Sequence, residues 1–251
     1  MPAEETPLPR ALGIAWGVET APTRGPRRGL SHDAIVRSAI DLADAGGLGA
    51  VTMARVAEAL GFTTMSLYRY VTSKEELVVL MQDAAATHPR ELDVATDDWR
   101  QGLRDVAHLQ LDVFARHPWI LDVPLSVQGV LMPNAMRFAD ATYRAMRTLP
   151  ADDALKQSVL LSLSMFVRVF GQLRRDLGAA GTPDISPATI TLLAQVVTPE
   201  RYPDLAPVFR SGGYTGEDPG GGDGTDDFAV GLELFLDGLD AHVSRAAEGG
   251  G

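Results

Sequence analysis

Residues 51–71 read VTMARVAEALGFTTMSLYRYV. Met53, Val56, Ala57 and Leu60 recur at i, i+3, i+4 and i+7, one face of a short helix. Thr52 stands where its hydroxyl can cap that helix by accepting from a free backbone N–H. Gly61 follows the last periodic residue, where a left-handed φ lets the chain turn sharply. A second short helix begins at about Thr63, with Leu67, Tyr70 and Val71 on its apolar stripe. Two short helices joined by one tight turn make a helix-turn-helix.

Outside the stripe, the second helix carries Thr63, Thr64, Ser66, Tyr68 and Arg69, side chains able to reach base edges or phosphates from a groove. Thr52 and Arg55 on the first helix, Met65 and Tyr70 on the second, and Lys74 just beyond complete the candidate DNA-binding set. Ser73 with Glu76 three residues on is the pattern of a capping box opening the next helix. Periodicity alone equally describes two amphipathic helices in an ordinary all-α core.

The longer run LSHDAIVRSAIDLADAGGLGAVTMARVAEALGFTTMSLYRYVTSKEELVVLM, residues 30–81, closely resembles the N-terminal domain of the TetR family of bacterial repressors. Its most specific part is LYRYVTSKEEL, residues 67–77. It departs at Ala54, where members often carry Arg; here Arg55 follows. The resemblance implies an all-α chain: a three-helix DNA-binding head over residues 30–80, then a helical effector-binding and dimerising body over residues 81–251. It also implies double-stranded operator DNA, a small-molecule effector and a second copy of the chain as partners.

The chain has 251 residues, 45% of them hydrophobic, enough for a sizeable core. No uninterrupted run approaches the roughly 18–20 apolar residues of a membrane span. The start, MPAEETPLPR, lacks the basic and apolar segments of a signal peptide, so a cytoplasmic location is expected, with no membrane partner. The absence of cysteine excludes disulfides, thiolate metal sites and thiol nucleophiles. No GxSxG, HExxH or phosphate-cradling glycine loop occurs. No enzyme activity, cofactor or metal is therefore expected.

The net charge of −11 argues against nucleic acid until it is resolved by position. Residues 24–74 hold seven Arg or Lys and four acids, net +3; residues 91–251 hold 13 basic and 23 acidic groups, net −10. A basic head on an acidic body orients the molecule toward phosphate.

Residues 1–29 contain five of the 16 prolines and no helical period, and read as a flexible arm. Its Arg27 and Arg28 suit an adjacent minor groove, or a solvated tail with no contact; Ile14 and Trp16 are out of place in a tail and suit packing back onto the head. Helices are expected over residues 31–45, 73–87, 97–117, 127–147, 152–177, 186–198 and 226–246, with a short one near 119–123 and a flexible loop at about 212–226. The helix over 152–177 is apolar on more than one side, as a core helix that also meets a partner chain would be. Phe228, Leu232, Phe235, Leu239 and Val243 in the last helix form a seam for another helix. Trp119, Met132, Met136, Tyr143, Phe166 and Phe170, with His108 and Gln172 as polar anchors, are the candidate effector-binding residues, though each also suits ordinary core packing.

The reading is a homodimeric, ligand-responsive repressor released from a palindromic operator by a small, largely hydrophobic effector. The alternatives are an effector-independent DNA-binding protein whose body only dimerises and, third, an enzyme using the body cavity.

Overall fold

A computed structural model describes residues 8–18, 30–87, 92, 94–178, 187–212 and 227–249. Among these the chain is helical, with no strand. It divides into two compact units, Met1–Gln172 and Leu173–Gly251.

In the first unit, α1 (Arg10–Ala15) precedes the head, within the stretch expected to be a flexible arm. Too short to show a helical period, it gains its order from burying Ala11 and Leu12. The head is α2 (His32–Gly46), α3 (Met53–Leu60) and α4 (Thr64–Leu67), with a 3-10 turn at Leu48–Ala50. Then come α5 (Lys74–Ala85), α6 (Trp99–Arg116), a 3-10 turn at Pro118–Asp122, α7 (Val127–Val130), α8 (Pro133–Ala145) and α9 (Asp153–Gly178), whose end crosses into the second unit.

The starts of these helices follow local chemistry. Ser31, Thr52, Thr63, Ser73, Asp98 and Ser126 each cap a helix with a side-chain oxygen. The single helix expected over 127–147 is instead two. Pro133 has no N–H to continue α7 and takes the first position of α8, where none is required. The boundary expected near residue 80 falls inside α5, which packs on α2 and also on α7 and α8. Asp83 on α5 accepts from the Asn134 backbone N–H at 2.8 Å, and the Asn134 amide donates back to the Asp83 carbonyl at 3.0 Å. α6 and α8 pack at Gly102, where an added Cβ would lie 2.4 Å from the Ala95 carbonyl oxygen and 2.7 Å from the Ala145 Cβ.

One face of α9 is buried through Val159, Leu163 and Val167. The opposite side leaves Leu161, Met165, Val169 and Leu173 exposed at four-residue steps. Residues 153–176 have the length of a membrane span, and one 18-residue window within them has a mean hydropathy of 1.2. The buried stripe marks this helix as one that packs on protein.

The second unit contains α10 (Pro187–Val196), α11 (Leu205–Arg210) and α12 (Asp227–Gly249). α11 was absent from the sequence reading; at six residues it carries too little periodicity to register, and it is ordered by burial of Ala206 and Phe209. On α12 the buried set is Phe228, Leu232, Leu236, Leu239 and Val243. The seam read for a partner helix is therefore covered within the chain itself, with Leu236 in the place expected of Phe235. Val230 and Leu234 remain exposed. The loop expected at 212–226 lies, beyond Gly212, outside the described residues.

Two outcomes follow for stability. Gly102→Ala should lower unfolding free energy by about 1–3 kcal/mol, because backbone and a Cβ must both shift, as chemical denaturation would measure. Burial holds the Asp83 carboxyl above the usual carboxylate range, against the lowering effect of the Asn134 hydrogen bonds. The folded chain thus binds that proton more tightly, so Asp83 favours folding most at low pH. Its contribution falls as pH rises from about 4 through the raised value. Asp83→Asn keeps an acceptor for Asn134 and should lose that decline, so the variant gains on the wild type as pH rises in paired denaturation curves.

Candidate nucleic-acid interface

The outward face of the helix-turn-helix is built from two caps and two buried anchors. Thr52 Oγ1 accepts from Arg55 N at 3.2 Å and starts α3, which buries Met53, Val56 and Ala57. Gly61, at φ 73°, ends it: its N–H reaches Glu58 O at 3.0 Å and Phe62 N–H reaches Ala57 O at 2.9 Å, a Schellman closure. Thr63 then starts α4 by accepting from Ser66 N at 3.3 Å. Leu67 and Val71, both fully buried, pin α4 and its exit to the head. Each such anchor stabilises by about 1.5–3 kcal/mol.

With that stripe inward, Met65 (74% exposed), Tyr68 and Arg69 face out, with Thr64 half-buried among them. Thr63 Oγ1 and Ser66 Oγ lie 3.0 Å apart, so these two hydroxyls serve the cap and each other. The Arg55 guanidinium donates to Ala50 O at 3.1 Å, and Lys74 Nζ lies 3.5 Å from Leu48 O. Two cations thus gather on the 3-10 turn that precedes α3. Arg27 and Arg28 lie outside the described residues.

Tyr70 is placed differently from its neighbours. Its half-buried ring meets His32 edge-on with centroids 5.5 Å apart. Its carbonyl accepts from His32 Nε2 at 2.9 Å and from Arg10 Nη2 at 3.0 Å. Glu76 does not close the capping box on Ser73. Its carboxylate accepts from the Thr72 N–H at 3.0 Å and from the Thr72 hydroxyl, and it pairs with Arg10 Nη1 at 2.7 Å. Arg10 and His32 were not singled out from sequence, because their partners lie 60 and 38 residues away and no local pattern marks them.

The candidate effector residues are held mainly in separate contacts. Trp119 is buried and its indole N–H donates to Asp44 Oδ1 at 2.8 Å, tying the turn after α6 to the end of α2; His117 Nδ1 reaches the same oxygen at 2.8 Å. Met132 is buried, whereas Met136, His108 and Gln172 are exposed. The Tyr143 hydroxyl donates to Gln157 Oε1 at 2.8 Å. Phe166 and Phe170 stack at 4.7 Å between centroids. Sequence reading passed over Arg168, which donates to the carbonyls of Leu121 at 3.0 Å and Val123 at 2.8 Å and satisfies the end of the Pro118–Asp122 turn. No group of His, Asp or Glu among the described residues is placed to hold a metal.

A helix-turn-helix with an outward-facing second helix, on a larger helical body, defines a DNA-binding regulator. Residues 35–81 match the bacterial regulatory proteins of the tetR family, and residues 89–243 match the tetracyclin repressor-like C-terminal domain. The chain is 32% identical over 246 residues to the HTH-type transcriptional repressor DrrR1 of Streptomyces coeruleorubidus, covering 95% of this chain and 87% of that one. It therefore belongs to the TetR family of transcriptional regulators, which are not enzymes.

Solved structures share the fold. ActR of Streptomyces coelicolor, in complex with actinorhodin, matches with a TM-score of 0.67 at 24% identity, over 86% of this chain and 99% of that one. BioQ, a protein solved from Mycobacterium smegmatis, has also been solved with its natural double-stranded DNA operator. That complex matches with a TM-score of 0.57 at 19% identity, over 85% of this chain and all of that one.

Two substitutions separate reading from anchoring. Lys74→Ala should weaken operator binding on every sequence and reduce the slope of log affinity against log salt by about one. Thr64→Ala should change the motif recovered in a binding-site selection while leaving the salt slope intact. An unaltered motif for Thr64→Ala, or an unaltered slope for Lys74→Ala, removes that residue from the interface.

Proposed function

We propose that the chain is a homodimeric repressor that reads a roughly palindromic operator and is released by a small, largely hydrophobic effector. The observation that carries this reading is the outward face of α4, exposed on a head whose other stripe is buried and which also carries Arg55 and Lys74 at its 3-10 turn. Two such heads would enter successive major grooves about one turn apart, ~34–36 Å. Tyr68, Arg69 and Lys74 would meet phosphate, and Thr64 with Met65 would meet base edges.

The dimer surfaces we propose are, in the first unit, the exposed side of α9 (Leu161, Met165 and Val169) and, in the second unit by itself, Val230 and Leu234 on α12. Apolar stripes of this kind, at four-residue spacing, suit helix-on-helix burial between copies. The reported ligand of ActR supports an effector for this chain, and the operator bound by BioQ supports DNA as its partner. An effector acts by binding one head spacing more tightly than another, so DNA and ligand oppose each other through one equilibrium. The chain works in the cytoplasm, where operator DNA is found.

Selection of bound fragments from the host's genomic DNA should return one motif with two related half-sites. A thermal-shift panel that includes actinorhodin should yield a compound that raises the melting temperature and lowers operator affinity. A specific motif with no compound that alters it would favour the effector-independent reading. Val169→Arg or Leu234→Arg should give a folded monomer by light scattering, since both residues are more than 60% exposed in the single chain. Leu239→Arg, by contrast, strikes the chain's own core and should unfold it.

A further inference from the structure

We propose that α1 is a strap between the reading head and the body, with Arg10 as a positioning residue for α4 and Trp16 as its fastening on the body. This rests on the operator-reading role assigned to α4 above. The two ends of α1 make unlike bonds on opposite sides of the head–body joint. At its start, Arg10 donates to the Tyr70 carbonyl at 3.0 Å and to Glu76 Oε1 at 2.7 Å. The other Glu76 oxygen takes the Thr72 N–H. One guanidinium therefore holds both the carbonyl that closes the exit of α4 and the carboxylate that orders residues 70–73. At its far end, the Trp16 indole N–H donates to the Leu131 carbonyl at 3.0 Å, in the turn between α7 and α8.

Between these ends Ala11 and Leu12 are buried, and α1 packs along α5. The same body turn is held from α5 by the Asp83–Asn134 bonds, three residues beyond Leu131. The head thus meets this turn along two routes, α5 and α1. The α1 route adds a direct bond to the Tyr70 carbonyl at the exit of the reading helix. At the head end the Glu76 side chain is 9% exposed and that of Arg10 35%, whereas half of the Trp16 surface faces solvent. The body end is the one that can open. Movement of the α7–α8 turn would then pull or release α1, and α1 would pass that to Tyr70 and Thr72. Arg10 also neutralises Glu76, a carboxylate that would otherwise stand uncompensated behind a surface meant for phosphate.

The test uses the full chain with Arg10→Ala, Trp16→Phe and both together. Trp16→Phe keeps one aromatic ring while deleting the N–H donor along with the second ring of the indole. Two quantities are read: hydrogen exchange at the Thr72 amide, and affinity for the operator fragment recovered from genomic selection, with melting temperature as the check on folding. A strap predicts that Trp16→Phe, at the body end, speeds exchange at Thr72 on the head. Each single change should weaken operator binding roughly three- to tenfold, the scale of one hydrogen bond. The double variant should lose no more than the worse single one, because a strap cut at either end is cut.

Two results overturn the proposal. Unchanged Thr72 exchange in Trp16→Phe would leave Arg10 as a local fastening, and additive losses in the double variant would make the two ends independent. Were Arg10→Ala to melt early, Arg10→Lys, which keeps the charge and loses the planar fork that spans both acceptors, repeats the comparison. A wild-type chain that selected no operator would refute the DNA-reading role while leaving the exchange arm to decide the strap.

Discussion

A helix of four residues cannot hold itself in water, since nucleation is not repaid below about a dozen residues, and α4 is that short. Everything that lets it face DNA must come from outside it. Leu67 and Val71 sink its inner side, Thr63 fixes its start, and the Tyr70 carbonyl at its exit takes two donors, from His32 on α2 and Arg10 on α1. The head is in effect a clamp on one turn of helix. Met65, Tyr68 and Arg69 on its outward side stay exposed.

The joint between head and body follows from the same economy of short elements. α5 belongs to both, and its Asp83 receives the first turn of α8. The end of α2 carries Asp44, which takes the Trp119 indole and the His117 ring from the turn after α6. These bonds are polar, directional and few, unlike the close α6–α8 packing at Gly102. A joint made of discrete hydrogen bonds has alternative arrangements at small energetic distance, whereas a close-packed contact resists change. Motion of the head is therefore more readily accommodated at the joint than within the α6–α8 pair. Trp119, first considered for its apolar bulk, matters at least as much for its N–H.

α9 shows how one composition supports two roles. Its length and hydropathy would suit a membrane, yet Val159, Leu163 and Val167 are buried in the protein while Leu161, Met165 and Val169 look outward. A helix apolar on two sides suits two partners, and the described residues cover one of them. On α12 the division is sharper, because its regular seam is already used inside the chain and only Val230 and Leu234 are left over.

The DNA-reading head was legible in the sequence because its determinants are local. The apolar spacing in 51–71, Thr52 and Ser73 as caps, and Gly61 as the left-handed stop each act within a few residues. The break at Pro133 was also local in origin, but whether proline starts a helix or kinks one depends on what the preceding turn packs against. Tertiary structure alone decided the rest. It turned residues 10–15 from tail into helix, moved Glu76 from Ser73 to Arg10, and gave Trp119 to Asp44. It also decided which face of α12 stays uncovered. The physical reason is the range of the forces. Helix periodicity and capping are set by neighbours three or four residues away. The partner of a charged or hydrogen-bonding side chain is whichever group the packed helices bring within about 3 Å, and no spacing along the chain encodes it.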